Sequence, residues 1–481
     1  MKIEKEHINY IQDEFALMQS RQDFLDLLNY TKPLIYGKEA IPFALKQITY
    51  YANPKRSKKA YKEFQIKKKS GGTRTIYAPE NGLKAIQKTI AFILQCVFEP
   101  HNAVTGFVIG KSIVDNAKVH TNQNYVFNID LKDFFPSIEQ ARVWTCLRLK
   151  PFNLIEVTEV IEFDYLKLQT GIRKFTTELN EQIFYKLDKG TFSIVNDKKG
   201  NYKAYKKRLT SLGIDIFKDA VNYITTDSNL KELENLIINR GKIANIIAAI
   251  SCTEMLVERE KNGNWQKVKR NVLPQGAPTS PVFSNIICQK LDRRLSGVAK
   301  RFNLNYTRYA DDITFSSMHN VYQENSEFLK ELTRIIKDQN FEIKASKTRL
   351  QKTGYKQEVT GLVVNEKVNV RKRYIKQIRM WLYYWEKYGY NKAESIFLRD
   401  YFIDKGHVKK AKPNFKNVLS GKLEYLKMVK GFENTTYLSL NKRFDKLIGF
   451  KNPLNTILTE WENKGIESAM EIYNFKENEQ V

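Results

Sequence analysis

Asp130, Asp311 and Asp312 are the side chains of this 481-residue sequence best placed to do chemistry. Asp311 and Asp312 lie in NYTRYADDITF, residues 305–315, where two short β-branched and aromatic runs flank an acidic turn, the pattern of a β-hairpin. A bare Asp-Asp pair is usually a solvated turn. Adjacent carboxylates repel one another and add nothing to a core, so a bound divalent cation gives them a reason that stability does not. Asp130 closes YVFNID, whose alternation puts Tyr125, Phe127 and Ile129 on one face and Asn128 with Asp130 on the other. Hard oxygen donors at strand ends suit Mg2+, and phosphoryl transfer from a nucleoside triphosphate uses two such ions about 4 Å apart. In that chemistry Asp130 and Asp311 bridge the ions and Asp312 is a third or outer ligand. Lys67 and Arg74 neutralise the triphosphate, and Lys347 donates a proton to the leaving pyrophosphate.

The elements that must position these residues follow from spacing and punctuation. Residues 1–60 show helical spacing, as in Phe24, Leu27 and Leu28, and Phe64 to Pro79 reads as a basic hairpin turning at Ser70, Gly71 and Gly72. Leu83, Ile86, Ile90, Ile93 and Leu94 predict an amphipathic helix that belongs to the core. The glycines of GFVIGKSIVDNAKVH, residues 106–120, match no phosphate-binding loop spacing. Pro136 limits how far the Asp130 strand continues. Residues from about 150 to 240 change composition toward Lys, Glu, Asn and Tyr, carry helical spacing from Ile216 to Leu236, and hold no catalytic constellation. LPQGAPTSPVFSNII, residues 273–287, sets small residues and prolines before a helix, which lets backbone come close to a flat ligand. Beyond Arg371 the pattern is helical and basic, with Trp381, Tyr383, Tyr384, Trp385, Tyr388 and Tyr390 suited either to stacking on bases or to core packing.

Composition narrows the partners. Lys and Arg number 80 against 53 Asp and Glu, and this excess of +27, spread along the chain, points first to nucleic acid and second to an anionic membrane surface. The four cysteines form no CxxC pair, which fits a reducing cytoplasm without structural zinc or disulfides. A charged N-terminal stretch gives no sign of a signal peptide. The longest apolar candidate, Ile243 to Val257, is too short and too polar to span a bilayer.

The order of KKKSGGTRTIYAP, NIDLKDFFPSI, LPQGAPTSPVFSN, YADD, SKT and VTG resembles the reverse transcriptase core, and GKLEYLKMVKG at residues 421–431 is similar to the thumb of those enzymes. NAKVH at 116–120 and VTG at 359–361 resemble the corresponding regions of retron-type bacterial reverse transcriptases; defence-associated relatives outside the retrons share the core motifs. The resemblance implies an α+β right-hand polymerase of fingers, palm and thumb, with an antiparallel palm sheet, a helical insertion and a helical thumb. It divides the chain into a helical region at 1–60, fingers and palm at 61–370 with the insertion at about 150–240, and thumb and C-terminal region at 371–481. It also implies that Asp130, Asp311 and Asp312 carry magnesium and that Lys67 with Arg74 holds the triphosphate. Phe135 would be the aromatic gate against a ribose 2′-hydroxyl, Gln275 and Gly276 would line the template and nucleotide pocket, and Tyr309 would support the primer terminus. Asn116, His120, Val359, Thr360 and Gly361 would face a noncoding RNA.

The activity so implied is RNA-directed DNA synthesis from dNTPs on an associated noncoding RNA, by a cytoplasmic enzyme of antiphage defence, with an effector protein or a second copy as further partner and no membrane. The alternatives are a mobile-element reverse transcriptase, template-relaxed or protein-primed DNA synthesis, an RNA polymerase of the same architecture, which Phe135 argues against, and a non-catalytic RNA-binding protein. The five histidines are scattered, so no HNH nuclease cluster accompanies the core.

Overall fold

The computed structural model describes residues 4–18, 20–53, 60–67, 72–154, 185–188, 191–194, 241–261, 264–405 and 412–449, with single positions 466 and 470. The chain divides into a first unit of Met1–Ile66, Thr73–Ser112 and Phe127–Leu350 and a second of Lys67–Gly72, Ile113–Val126 and Gln351–Val481.

In the first unit, helices Lys5–Leu17 and Arg21–Tyr36 pack against helix Asn81–Val97. Ser20 starts the second helix with reciprocal bonds: its hydroxyl accepts from the Asp23 N–H and its own N–H donates to the Asp23 carboxylate, each at 3.1 Å. Such a cap contributes about 1 kcal/mol. Leu83, Ile86, Ile90, Ile93 and Leu94 are all buried, so the helical spacing read from sequence does form core. Strands β1 (Tyr61–Lys67) and β2 (Thr73–Pro79) form a two-stranded sheet; the residues between Lys67 and Gly72 lie outside the described ones.

Strand β3 (Tyr125–Asp130) is followed by helix Gln140–Leu147. Within 150–240 the described regular structure is an antiparallel hairpin of β4 (Tyr185–Asp188) and β5 (Thr191–Ile194). The helical spacing from Ile216 to Leu236 lies outside the described residues. The apolar stretch at 243–257 is two elements: a helix over 241–251 with buried Ile243, Ile247 and Ile250, then β6 (Thr253–Lys261), which pairs antiparallel with β7 (Asn264–Val272). Among the described residues no helix is long and apolar enough to cross a membrane.

The sheet that organises this unit has the order β10-β3-β9-β8, with β8 (Asn305–Tyr309), β9 (Asp312–Ser317) and β10 (Arg349–Lys352) joining β3. β8 and β9 pair antiparallel with Tyr309 opposite Asp312, which confirms the hairpin read from the sequence. Helices Ser280–Arg301, with Pro281 in its first turn, and Glu327–Asp338, capped by Ser326, pack against each other. Phe328 of the latter meets Phe315 of β9 edge-on at 5.1 Å and Phe127 of β3 at 6.5 Å. Burial of these rings on the sheet ties it to the helix.

The second unit holds helix Ile113–Lys118, the short hairpin of β11 (Glu358–Val359) and β12 (Leu362–Val363), and helices Lys372–Lys405, Phe415–Lys430 and Thr435–Leu447. Its core gathers Trp381, Phe397, Phe415, Leu419, Leu423 and Phe444, with Tyr384, Trp385 and Tyr390 packed against it. Tyr383 and Tyr388 are exposed. The aromatic series of the sequence therefore splits, most of it into core and two rings to solvent.

Candidate active site

Asp130 ends β3 almost fully buried, and Asp311 and Asp312 form the β8–β9 turn. Backbone bonds join these segments: the Leu131 N–H donates to the Asp311 carbonyl at 3.1 Å, and the Lys344 N–H to the Asp130 carbonyl at 2.8 Å. The Lys132 N–H donates to the Glu342 carbonyl at 2.8 Å, beside an antiparallel bridge between Leu131 and Ile343. The same run delivers Lys347, whose ammonium donates to Asp130 Oδ2 at 2.5 Å. The structure brings Asp130, Asp311, Asp312 and Lys347, the four residues the sequence assigns to one site, together from segments far apart in the chain.

Electrostatics mark the cluster as crowded with negative charge. Asp312 keeps solvent on one side, yet burial of its carboxyl, then the charges of Asp311 and Asp130, push its pKa up to about 6; Lys347 and Arg349 pull the other way. Burial and then Asp130 likewise raise Asp311, against Lys347 and Arg74. Among the described residues no three ligand groups already converge on one point. The donor chemistry nonetheless fits a divalent ion: carboxylate oxygens only, with Asp311 and Asp312 made harder to ionise by burial and by their neighbouring carboxylates.

The turn is held by groups that sequence reading missed. Arg308, fully buried, donates through Nε to Asp292 Oδ1 and through Nη2 to Asp292 Oδ2, both at 2.7 Å, and through Nη1 to the Ala310 carbonyl at 3.1 Å. The Tyr306 hydroxyl donates to the same Asp292 Oδ1 at 2.7 Å. The signal was present in the sequence, since Asp292 interrupts the apolar pattern of Leu291 and Leu295 and Arg308 sits inside a strand. Gly106 is a second support. A Cβ there would stand 2.6 Å from the Ala310 nitrogen, so only glycine admits this approach, and its carbonyl accepts from Asn285 Nδ2 at 2.9 Å.

The remaining sequence-predicted residues are distributed unevenly. Arg74, exposed on β2, is near enough to Asp311 to lower its pKa. Gln275 accepts from the Tyr77 N–H at 2.9 Å, and Gly276 has φ 124° with the Tyr77 carbonyl where a Cβ would be, 2.6 Å away, so this loop lies directly on β2. Phe135 and Tyr309 each lie 6.3 Å from Phe107, ring centre to ring centre. Lys67 ends β1, but its side chain lies outside the described residues.

The RNA-facing set requires correction. Asn116, His120 and Val359 are closed to solvent, and burial pushes His120 down to about 3, leaving the ring neutral. A neutral, sealed imidazole gives no charge to a phosphate. Only Thr360, with φ 47°, and exposed Gly361, with φ 84°, reach the tip between β11 and β12. That tip is braced within its own unit: Glu358, almost fully buried, pairs with Arg371 Nε at 2.6 Å and Lys356 Nζ at 3.0 Å, and the Thr360 hydroxyl donates to the Ile113 carbonyl at 3.5 Å.

Comparison with known proteins adds family context. Residues 157–365 match the family described as Reverse transcriptase (RNA-dependent DNA polymerase), a segment that contains Gln275, the Tyr309–Asp312 turn and Lys347 but begins after Asp130. The retron Mx162 reverse transcriptase of Myxococcus xanthus is 29% identical over 313 residues, covering 63% of this chain and 47% of that protein. The retron Mx65 enzyme of the same organism is 28% identical over 330 residues, 69% of this chain and 57% of that one. The retron Ec86 reverse transcriptase of Escherichia coli is 26% identical over 327 residues, 66% of this chain and 68% of that protein. The chain thus spans about half the length of the two Myxococcus proteins it matches. Among solved structures, telomerase from Candida albicans in complex with a TWJ fragment of telomeric RNA aligns at 12% identity over 90% of this chain and 71% of that chain, with a TM-score of 0.34, below the level that shows a shared fold.

Proposed function

We propose that this chain, similar to the bacterial retron-type reverse transcriptases, is an RNA-directed DNA polymerase of right-hand architecture that copies an associated noncoding RNA into DNA in antiphage defence. The observation that carries the reading is the gathering of Asp130, Asp311, Asp312 and Lys347 around one turn by backbone bonds and by the side-chain bond of Lys347 to Asp130. The cytoplasm is the compartment we assign, in keeping with four cysteines that are all free thiols.

Asp130, Asp311 and Asp312 would hold magnesium, which when bound activates a primer hydroxyl and neutralises the triphosphate. The protein's own groups do the rest. Arg74 sets positive charge near Asp311, where it would offset the repulsion of a triphosphate. Lys347, released from Asp130, supplies a proton to the oxygen of the departing pyrophosphate. Gln275 and Gly276 present backbone to the template base and nucleotide, Phe135 excludes a 2′-hydroxyl, and Tyr309 supports the primer end. Thr360 and Gly361 are the contacts we assign to the noncoding RNA.

Primer extension on an RNA template with purified protein, magnesium and dNTPs tests this. Deoxynucleotide incorporation that disappears in Asp311→Asn supports it. No incorporation, or undiminished incorporation in Asp311→Asn, rules it out.

A further inference from the structure

Phe107 occupies a position that packing alone does not explain. Its φ is 61°, a left-handed conformation that costs a bulky side chain energy, and 38% of the residue stays exposed, so burial does not compensate. The segment before it is fixed on both sides. The Arg308 N–H donates to the Ala103 carbonyl at 2.9 Å and the Thr105 N–H to the Arg308 carbonyl at 3.0 Å, so residues 103–105 run beside β8 as a fifth, parallel segment. Gly106 then lies against the Ala310 nitrogen, and Lys111 Nζ closes the loop by donating to the carbonyls of Asn102 and Val104, each at 3.1 Å. An anchored loop thus presents one ring at its bend.

That ring lies between two others. Phe107 stands 6.3 Å from Phe135, tilted at 44°, and 6.3 Å from Tyr309, tilted at 41°. Phe135 leans in turn on Phe134 at 5.3 Å. Phe135 follows the strand that delivers Asp130, and Tyr309 precedes the turn that carries Asp311 and Asp312. The three rings therefore link the segment that follows Asp130 to the strand that leads into Asp311 and Asp312.

We propose that Phe107 is a specificity-determining residue: it holds the Phe135 ring in place and completes an aromatic surface on which the sugar of the incoming nucleotide packs. The proposal rests on the polymerase reading above. Loss of the Phe107 ring lets Phe135 yield to a 2′-hydroxyl, so discrimination weakens even where catalysis survives.

The test is the ratio of kcat/KM for a deoxynucleotide to that for the matching ribonucleotide, a quantity independent of the folded fraction. Phe107→Asn keeps the left-handed backbone that Asn tolerates, Phe107→Ala removes the ring without that help, and Phe107→Tyr restores it. The ratio is expected to fall about five- to tenfold in the Asn and Ala variants, the size one aromatic contact supports, and to return in the Tyr variant. Wild-type enzyme that incorporates deoxynucleotides, with an unchanged ratio in both ring-less variants, overturns the role of Phe107 alone. Wild-type enzyme that incorporates none overturns the polymerase reading and this proposal with it.

Discussion

Arg308 and Asp292 meet fork to fork with both side chains sealed from solvent, two parallel bonds of 2.7 Å joining a guanidinium on β8 to a carboxylate on the helix behind it. The third bond of Arg308, to the Ala310 carbonyl, makes this pair the mount of the acidic turn. Removing one partner leaves an uncompensated buried charge, at a cost of about 3–5 kcal/mol. Asp292→Asn should therefore unfold at much lower denaturant, whereas the paired change Arg308→Met with Asp292→Leu should recover most of the stability. Polymerase activity should stay lost in the paired variant, because no side chain then holds Ala310. Full activity there would mean that the turn needs no such mount.

Asp312 predicts an inverted pH response in the metal-free protein. Its folded-state pKa of about 6 lies above the ordinary 3.8, so the folded state binds the extra proton between those values. Its contribution to stability is fully present below about pH 4 and is lost as pH rises through about 6. In EDTA, the Tm difference between Asp312→Asn and wild type should shift in favour of the variant as pH rises from 4 to 7. A difference that is flat with pH would contradict the assignment.

Magnesium should reverse that penalty, since an ion held by the folded state alone stabilises it by mass action. Wild-type Tm at pH 7.5 should rise with millimolar magnesium, and the rise should shrink in a double Asp311→Asn, Asp312→Asn variant. Equal shifts in the two proteins would indicate binding elsewhere.

Lys347 should matter to the rate more than to nucleotide binding. With Lys347 in the proton-donor role proposed above, replacement by Met should lower kcat about a hundredfold with a smaller change in KM.

Gly106 should accept no side chain. Ala at this position drives a Cβ into the Ala310 nitrogen and should cost about 1–3 kcal/mol, with displacement of the turn. Denaturant melts together with primer extension report both effects, and a fully active, fully stable Gly106→Ala would show that the backbones can part.

Much of this site was legible in the sequence because its signals are local. The acidic turn sits between two runs of strand-forming residues, Asp130 ends an alternating strand, and the helix at 81–97 shows its buried face directly. What was not legible depends on partners distant in sequence. Arg308 looks like one more cation in a basic protein until Asp292 is brought beside it from the neighbouring helix. Phe107 reads as a loop aromatic until β8 and the segment after β3 converge on it. The opposite error befell Asn116, His120 and Val359: their polar or motif character suggested a surface, whereas the second unit closes over them. Residue type alone does not distinguish a polar group that meets a ligand from one that is satisfied within the fold.

The strand order has a consequence for how the protein is made. β3 lies between β9 and β10, and both neighbours are encoded about 180 residues or more downstream of it. At roughly 5–20 residues per second, a nascent chain carries β3 with two open edges for about ten to forty seconds before its first partner leaves the ribosome. During that interval the strand bearing Asp130 is a template for pairing with any other extended segment, including one from a neighbouring nascent copy. Synthesis speed and chaperone occupancy, as much as final stability, should therefore govern the yield of active protein.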